Sequence, residues 1–172
     1  ESKRRTLDDP ADLIRLLKGA GVLSFRITIN PGEYADEQEA RNQIRIGGPT
    51  RYRSPDARWF KINKIENWIE NAAQLETVKD PASAAAFFAN MGYVVESYRG
   101  EFYMLAWDRR GLRLTVDDGA WAVNQAFQDA DSFGRPAIAF RMDPLGGSKL
   151  GSLTEKNVNK QMAVLLDDEV YT

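Results

Sequence analysis

Short runs in which apolar and polar residues alternate constrain this chain most, because a period of two suits a strand with one apolar face and no helix. The clearest run puts Leu23, Phe25, Ile27 and Ile29 on one face and Ser24, Arg26 and Thr28 on the other, and Asn30-Pro31-Gly32 ends it. Residues 93–98 and 102–107 flank Arg99-Gly100 as a hairpin would. Leu112, Leu114 and Val116 predict another strand after a turn at 108–111. Shorter strands are expected over 58–63, 137–142 and 162–166, with a return strand from Glu169 after a turn at Asp167-Asp168. Asp117-Asp118-Gly119 reads as a turn, and 120–131 is ambiguous between strand and loop.

Helices are marked by a recurring dipeptide. Asp9-Pro10, Asp80-Pro81 and Asp143-Pro144 each supply an Asp N-cap and a Pro at the first helical position. The first helix carries Leu13, Ile14 and Leu17 and stops at Gly19; the second is centred on 84–89 and ends near Asn90-Met91-Gly92. The third runs to about Val158, with Leu150 and Leu153 on one face and Asn159 able to stop it in a left-handed conformation. Residues 33–45 are polar with modest helical character, and 65–74 are polar without a clear period. Irregular alternation of helices with hairpin-linked strands predicts an α+β fold: a mixed or antiparallel sheet with packed helices.

Composition narrows the chemistry. With 43% apolar residues and four Trp among 172 residues the chain can build a core, and a net charge of −2 does not suggest wholesale binding to nucleic acid or anionic membrane. There is no His and no Cys, so the usual general base, the commonest metal ligand, thiol nucleophiles and zinc or iron–sulfur centres are all missing. No catalytic, metal or cofactor site is expected. A Cys-free chain suits an oxidising compartment and the cytosol equally. No stretch of about 18 apolar residues and no signal peptide is found, and the opening Glu1-Ser2-Lys3 reads as an excised piece of a longer protein.

Several groups merit a functional reading beside a structural one. Residues 41–64 are basic, with Arg41, Arg45, Arg51, Arg53, Arg58, Lys61 and Lys64 against Asp56, and Tyr52, Trp59 and Phe60 are interleaved. Such a segment suits unfolded polypeptide, anionic headgroups or a single-stranded nucleic acid; the commoner alternative is a solvated loop with its aromatics packed inward. Trp107, Trp121 and Phe127 flank turns and would suit polypeptide capture if exposed, although such residues are more often core. Asp117-Asp118 and Asp167-Asp168-Glu169 are paired carboxylates that could hold Ca²⁺ or act as an acid/base pair, but each sits at a turn, where Asp is favoured for backbone reasons alone. Gly146-Gly147-Ser148-Lys149 lacks the first Gly of a phosphate loop, and Ser152-Leu153-Thr154-Glu155 fits a capping box only by accident if its helix is continuous.

Three segments together resemble the SecD family of the bacterial Sec export machinery. They are Asp131-Ser132-Phe133-Gly134-Arg135-Pro136-Ala137-Ile138-Ala139-Phe140, then Leu153-Thr154-Glu155-Lys156-Asn157-Val158, then Met162-Ala163-Val164-Leu165-Leu166-Asp167. The Asp9-Pro10 helix and Leu23-Ser24-Phe25-Arg26-Ile27 echo the family at the other end, whereas about 30–116 matches no family motif; Asn159 and Asp168 replace usual Gly residues at turns. The resemblance implies an inner-membrane protein with a ferredoxin-like base and a head on the periplasmic side. On that mapping residues 1–29 are the C-terminal part of the base and 30–172 the head, cut before its last strand. Gly134, Pro136, Leu153, Thr154, Glu155, Asn157 and Asp167 are then structural motif residues. The resemblance further implies a non-catalytic part in proton-driven export, with SecF, the SecY-containing channel and unfolded preprotein as partners. Membrane spans would lie outside this chain, and no nucleic acid is expected. The alternative is a nucleic-acid or polyanion-binding module built on 41–64. A base lacking its other half would bare the face carrying Leu23 and Phe25, so that strand is expected to find an unexpected partner or to drive self-association.

Overall fold

A computed structural model describes residues 22–130, 132, 134 and 136–171. The helix expected at 10–18 lies outside the described residues, as does the side chain of Phe127. The strands are β1 (Leu23–Ile27), β2 (Ala57–Ile62), β3 (Val95–Tyr98), β4 (Glu101–Trp107), β5 (Arg113–Leu114), β6 (Val123–Ala130), β7 (Pro136–Met142), β8 (Met162–Leu166) and β9 (Glu169–Val170). The helices are α1 (Glu37–Gly47), α2 (Ala72–Thr77), α3 (Pro81–Asn90) and α4 (Pro144–Lys156), with short 3₁₀ turns at Ile65–Trp68 and Val116–Asp118. The fold is α+β. A seven-stranded sheet runs β3-β4-β2-β9-β8-β1-β5, and β6-β7 form a separate hairpin. The β2–β9 pair is parallel and the others are antiparallel, so the sheet is mixed.

Local chemistry explains most boundaries. Asp80 accepts from the Ser83 N–H at 2.9 Å and Asp143 from the Gly146 N–H at 2.7 Å, so both Asp-Pro pairs start helices. Two tight turns have positive φ at both central residues: Arg99 (51°) with Gly100 (78°), and Asp167 (50°) with Asp168 (63°). These are the backbone requirements of two-residue hairpins, and they set the registers Tyr98↔Glu101 and Leu166↔Glu169. Asn159 is left-handed (φ 66°) but lies beyond the C-cap, which is Asn157. The polar 33–45 segment becomes α1, whose Ala40, Arg41 and Ile44 are buried.

β1 departs most from a one-faced strand. It lies between β5 and β8, with Phe25 opposite both Leu114 and Val164, and is buried throughout. Its two edges pair with β5 and β8, while its apolar face packs into the core. Phe25, Ile27 and Ile29 join Trp59, Leu105 and Trp107 in one core cluster, closed by Ile44 of α1 and Leu153 of α4. Phe60, Met104, Ala106, Ala163 and Leu165 form a second cluster under Ala84 and Phe88 of α3. The sheet curls far enough for Thr28 to bridge Ala106 of β4. The strand assigned to the base therefore shares one sheet with the strands assigned to the head other than β6 and β7.

One strand is shorter than its pattern. Only Arg113–Leu114 pair, and Val116 is 62% exposed. Thr115 breaks the run by capping a 3₁₀ turn: its Oγ1 accepts from the Asp117 N–H at 3.2 Å while Asp118 Oδ2 accepts from the Thr115 N–H at 2.8 Å. The ambiguous 120–131 stretch supplies β6, paired with β7 from Val123↔Met142 to Ala130↔Pro136.

Candidate functional site

A cleft of about 570 Å³ runs along β3. Asn71 caps α2 by accepting from the Gln74 N–H at 2.9 Å. The helix then presents Leu75, 40% exposed, while Val78 just beyond it is buried. With Ile65, Pro81 and Phe102 these residues make an apolar wall; Arg45, Lys79, Tyr98 and Arg99 supply a polar, cationic rim. The turn at Arg99-Gly100 closes one end. Gly48 lets α1 approach the rim: at φ +86° it would place a Cβ 2.8 Å from the Tyr98 ring.

Under the rim lies a buried carboxylate. Glu96 is 2% exposed and accepts from Arg41 Nη1 at 2.8 Å and from Arg45 Nη2 and Nε at 2.6 and 3.1 Å. Arg41, itself buried, also donates to Glu37 Oε2 at 3.1 Å. The Glu96 hydrogen bond holds the Arg45 guanidinium above its ordinary value. This triple ties α1 to the edge strand.

The basic-aromatic segment 41–64 is not an exposed platform. Tyr52, Trp59 and Phe60 are buried, and so is Trp107. That corrects the contact reading of these residues: their rings build the core. Trp59 donates to the Ala40 carbonyl at 3.2 Å, and Tyr52 donates to Asp36 Oδ2 at 2.6 Å and meets Tyr34 Oη at 2.7 Å. Burial and the Asp36 hydrogen bond raise the Tyr52 phenol pKa strongly. Phe60 lies between the Arg26 and Arg58 guanidinium groups, 4.4 and 4.9 Å from its centroid. Trp121 is half-buried against Phe25 and donates to the Thr115 carbonyl at 2.7 Å. Most of the cations are also engaged: Arg41 and Arg45 on Glu96, Arg58 near Asp168, and Lys61 between Glu101 and Glu169.

A second ion network runs through the sheet. Arg26 is buried and pairs with Asp108, which also accepts from Arg113 at 2.9 Å; Arg113 reaches Asp118 at 3.4 Å. Burial pushes the Asp108 carboxyl up, but hydrogen bonds and charge from Arg26 and Arg113 outweigh it and hold it below the ordinary value. The paired carboxylates do not converge. Asp117 and Asp118 line a cleft beside α4, and Asp168 lines another beside β2. Gly146-Gly147-Ser148-Lys149 is helical, inside the first turns of α4.

Residues 115–172 match the family described as SecDF, P1 head subdomain. Over this stretch the chain is similar to the SecD family. It is 39% identical over 67 residues to the protein translocase subunit SecD of Anaeromyxobacter dehalogenans, covering 37% of this chain and 11% of that protein. It is 28% identical over 108 residues to SecD of Calditerrivibrio nitroreducens, covering 60% and 20%. A third relative, SecDF of Thermus thermophilus, is 40% identical over 42 residues, covering 24% and 6%. The chain thus spans a fifth or less of the length of these relatives. No solved structure matches it.

In the matched stretch the motif residues have structural surroundings. Leu153 is in the core, and Asn157 Nδ2 donates to the Leu153 carbonyl at 2.7 Å and the Gly111 carbonyl at 3.3 Å, tying α4 to the β4–β5 turn. Asp167 accepts from and donates to Val22, each at 2.9 Å, which anchors the start of β1. Gly134 has φ 76°, while Thr154 and Glu155 are exposed on α4. The β3 cleft lies before residue 115, outside the matched head. Sequence reading missed it because its walls come from α2, α3 and the 93–107 hairpin, each unremarkable alone.

Proposed function

We propose that this chain is a non-catalytic, periplasmic portion of a SecD-type subunit that assists export by transient contact with unfolded preprotein. The observation carrying this reading is the match of residues 115–172 to the SecDF P1 head, shared with relatives named as protein translocase subunits. In this reading residues up to Ile29 continue the base, 30–172 form the head, and β1 supplies the sheet they share. Proton flow, the SecF partner and the SecY-containing channel act on it through membrane spans elsewhere in the protein; among the described residues no helix is long and apolar enough to cross a membrane. The accessible cleft beside β3 favours polypeptide contact over nucleic acid, because apolar walls suit side chains and the basic segment's aromatics are buried. Titration of the ¹⁵N-labelled chain with an unfolded secretory protein is expected to shift cleft amides, and the folded form of the same protein is expected to leave them unmoved. Absence of any shift or cross-link at millimolar concentration removes the reading.

A further inference from the structure

Among the described strands β3 pairs with β4 alone, so its outer edge has no strand beside it. The turn geometry determines which main-chain groups point outward. Arg99 and Gly100 have positive φ, so Tyr98 and Glu101 form the hydrogen-bonded pair that closes the hairpin. Alternation makes Glu96 and Tyr103 the next such pair, which leaves Val95 and Ser97 with their N–H and C=O aimed away from β4. The Val95 carbonyl is capped by Arg41 Nη1 at 3.3 Å. Ser97, the next outward position, lines the cleft.

We propose that an extended polypeptide adds to β3 as a further strand at Ser97, placing apolar side chains against Leu75 and Phe102 and acidic ones against Arg99 and Lys79. This rests on the polypeptide-contact reading and deepens it by naming the edge, the binding mode and the class of segment. Main-chain bonds hold the strand whatever its sequence, and alternate side chains supply the preference. Charge complementarity sets that preference: the lining includes Arg45, Lys79 and Arg99 and no carboxylate. Arg45 and Lys79 are partly neutralised by Glu96 and Glu76. Arg99 stacks 5.2 Å from the Tyr98 centroid and has no ion pair among the described residues. An alternating Val/Glu segment therefore fits. A lysine-rich segment, such as the positively charged start of a secretory signal, is repelled.

The test uses fluorescent peptides of alternating Val/Glu and Val/Lys, read by anisotropy, with the Ser97 amide followed by NMR. The Glu peptide is expected to bind at least tenfold more tightly than the Lys peptide and to shift Ser97. Ser97→Pro removes the outward donor at an edge position where Pro is tolerated; it should weaken binding at least tenfold with the melting midpoint unchanged. Leu75→Asp, at an exposed site, should do the same, and Arg99→Glu should reverse the charge preference. Undiminished binding to both Ser97→Pro and Leu75→Asp, or preference for the Lys peptide, overturns the proposal. So does a dimer that dissociates in Ser97→Pro, since the edge would then belong to a second copy. An unfolded secretory protein titrated in parallel separates the two readings. If it contacts Ser97→Pro as well as the parent chain, the edge site falls and polypeptide contact stands. If the peptides bind and the secretory protein does not, the edge site stands and the export reading falls.

Discussion

Replacing Glu96 by Gln should be among the most damaging single changes in the chain. The carboxylate is 2% exposed and is the shared acceptor for Arg41 and Arg45. The two partners lose differently. The Arg45 side chain is 50% exposed and regains water. The Arg41 side chain is 10% exposed and keeps only Glu37, at 3.1 Å, as counter-ion. Removing one partner of a buried pair costs about 3–5 kcal/mol, and the surviving Glu37 contact places the expectation at the lower end, about 3 kcal/mol. That is roughly a 150-fold drop in the folded-to-unfolded ratio and a large share of the ~5–15 kcal/mol typical of a domain. Urea unfolding followed by Trp fluorescence measures it directly, as a lower midpoint at unchanged slope. Arg45→Ala, which removes the solvated partner, should cost ~1 kcal/mol or less. The double change Glu96→Leu with Arg41→Met should recover much of the loss, because an apolar pair needs no counter-charge. A loss below ~1 kcal/mol for Glu96→Gln, or no recovery in the double variant, would refute this account of the α1–β3 contact.

Other perturbations separate local from long-range effects. Asn157→Ala removes bonds to the Leu153 and Gly111 carbonyls and should cost ~1–2 kcal/mol, read as a lower thermal midpoint. Gly48→Ala combines φ +86° with a Cβ 2.8 Å from the Tyr98 ring; a loss above ~1 kcal/mol is expected, and trimming Tyr98 to Ala should restore only the contact part. Because the Asp108 carboxyl is held below its unfolded value near 3.9, its contribution is present above that pH and is lost as pH falls through the lower, folded-state pKa. Asp108→Asn should therefore flatten the pH dependence of stability below about pH 4, measured by urea midpoints across the acid range.

The starts of α3 and α4 and the two tight turns were legible because their causes are local. Asp80-Pro81 and Asp143-Pro144 satisfy their own helix ends, and Arg99-Gly100 and Asp167-Asp168 adopt the positive φ that a two-residue turn requires. The head resemblance in the C-terminal third was legible as a string of residues, and the family match covers the same stretch. The contact residues were less legible. Trp59 and Phe60 stand among arginines in the sequence, yet they sit on opposite faces of β2 and enter different core clusters.

What the sequence determined alone is therefore local: where helices begin, where chains reverse, and that β1 has two unlike faces. Alternation says which residues share a face and nothing of what covers that face. Tertiary structure decided that Ser24 and Arg26, and Thr28 just beyond the strand, are buried nearly as fully as Phe25, because β1 lies inside the sheet between β8 and β5 with side chains packed on both faces. It also decided that β2 lies parallel to β9 and that, among the described strands, β3 pairs with β4 alone beside a cleft. Those outcomes depend on pairings between residues about a hundred positions apart, for which no local spacing carries a signal.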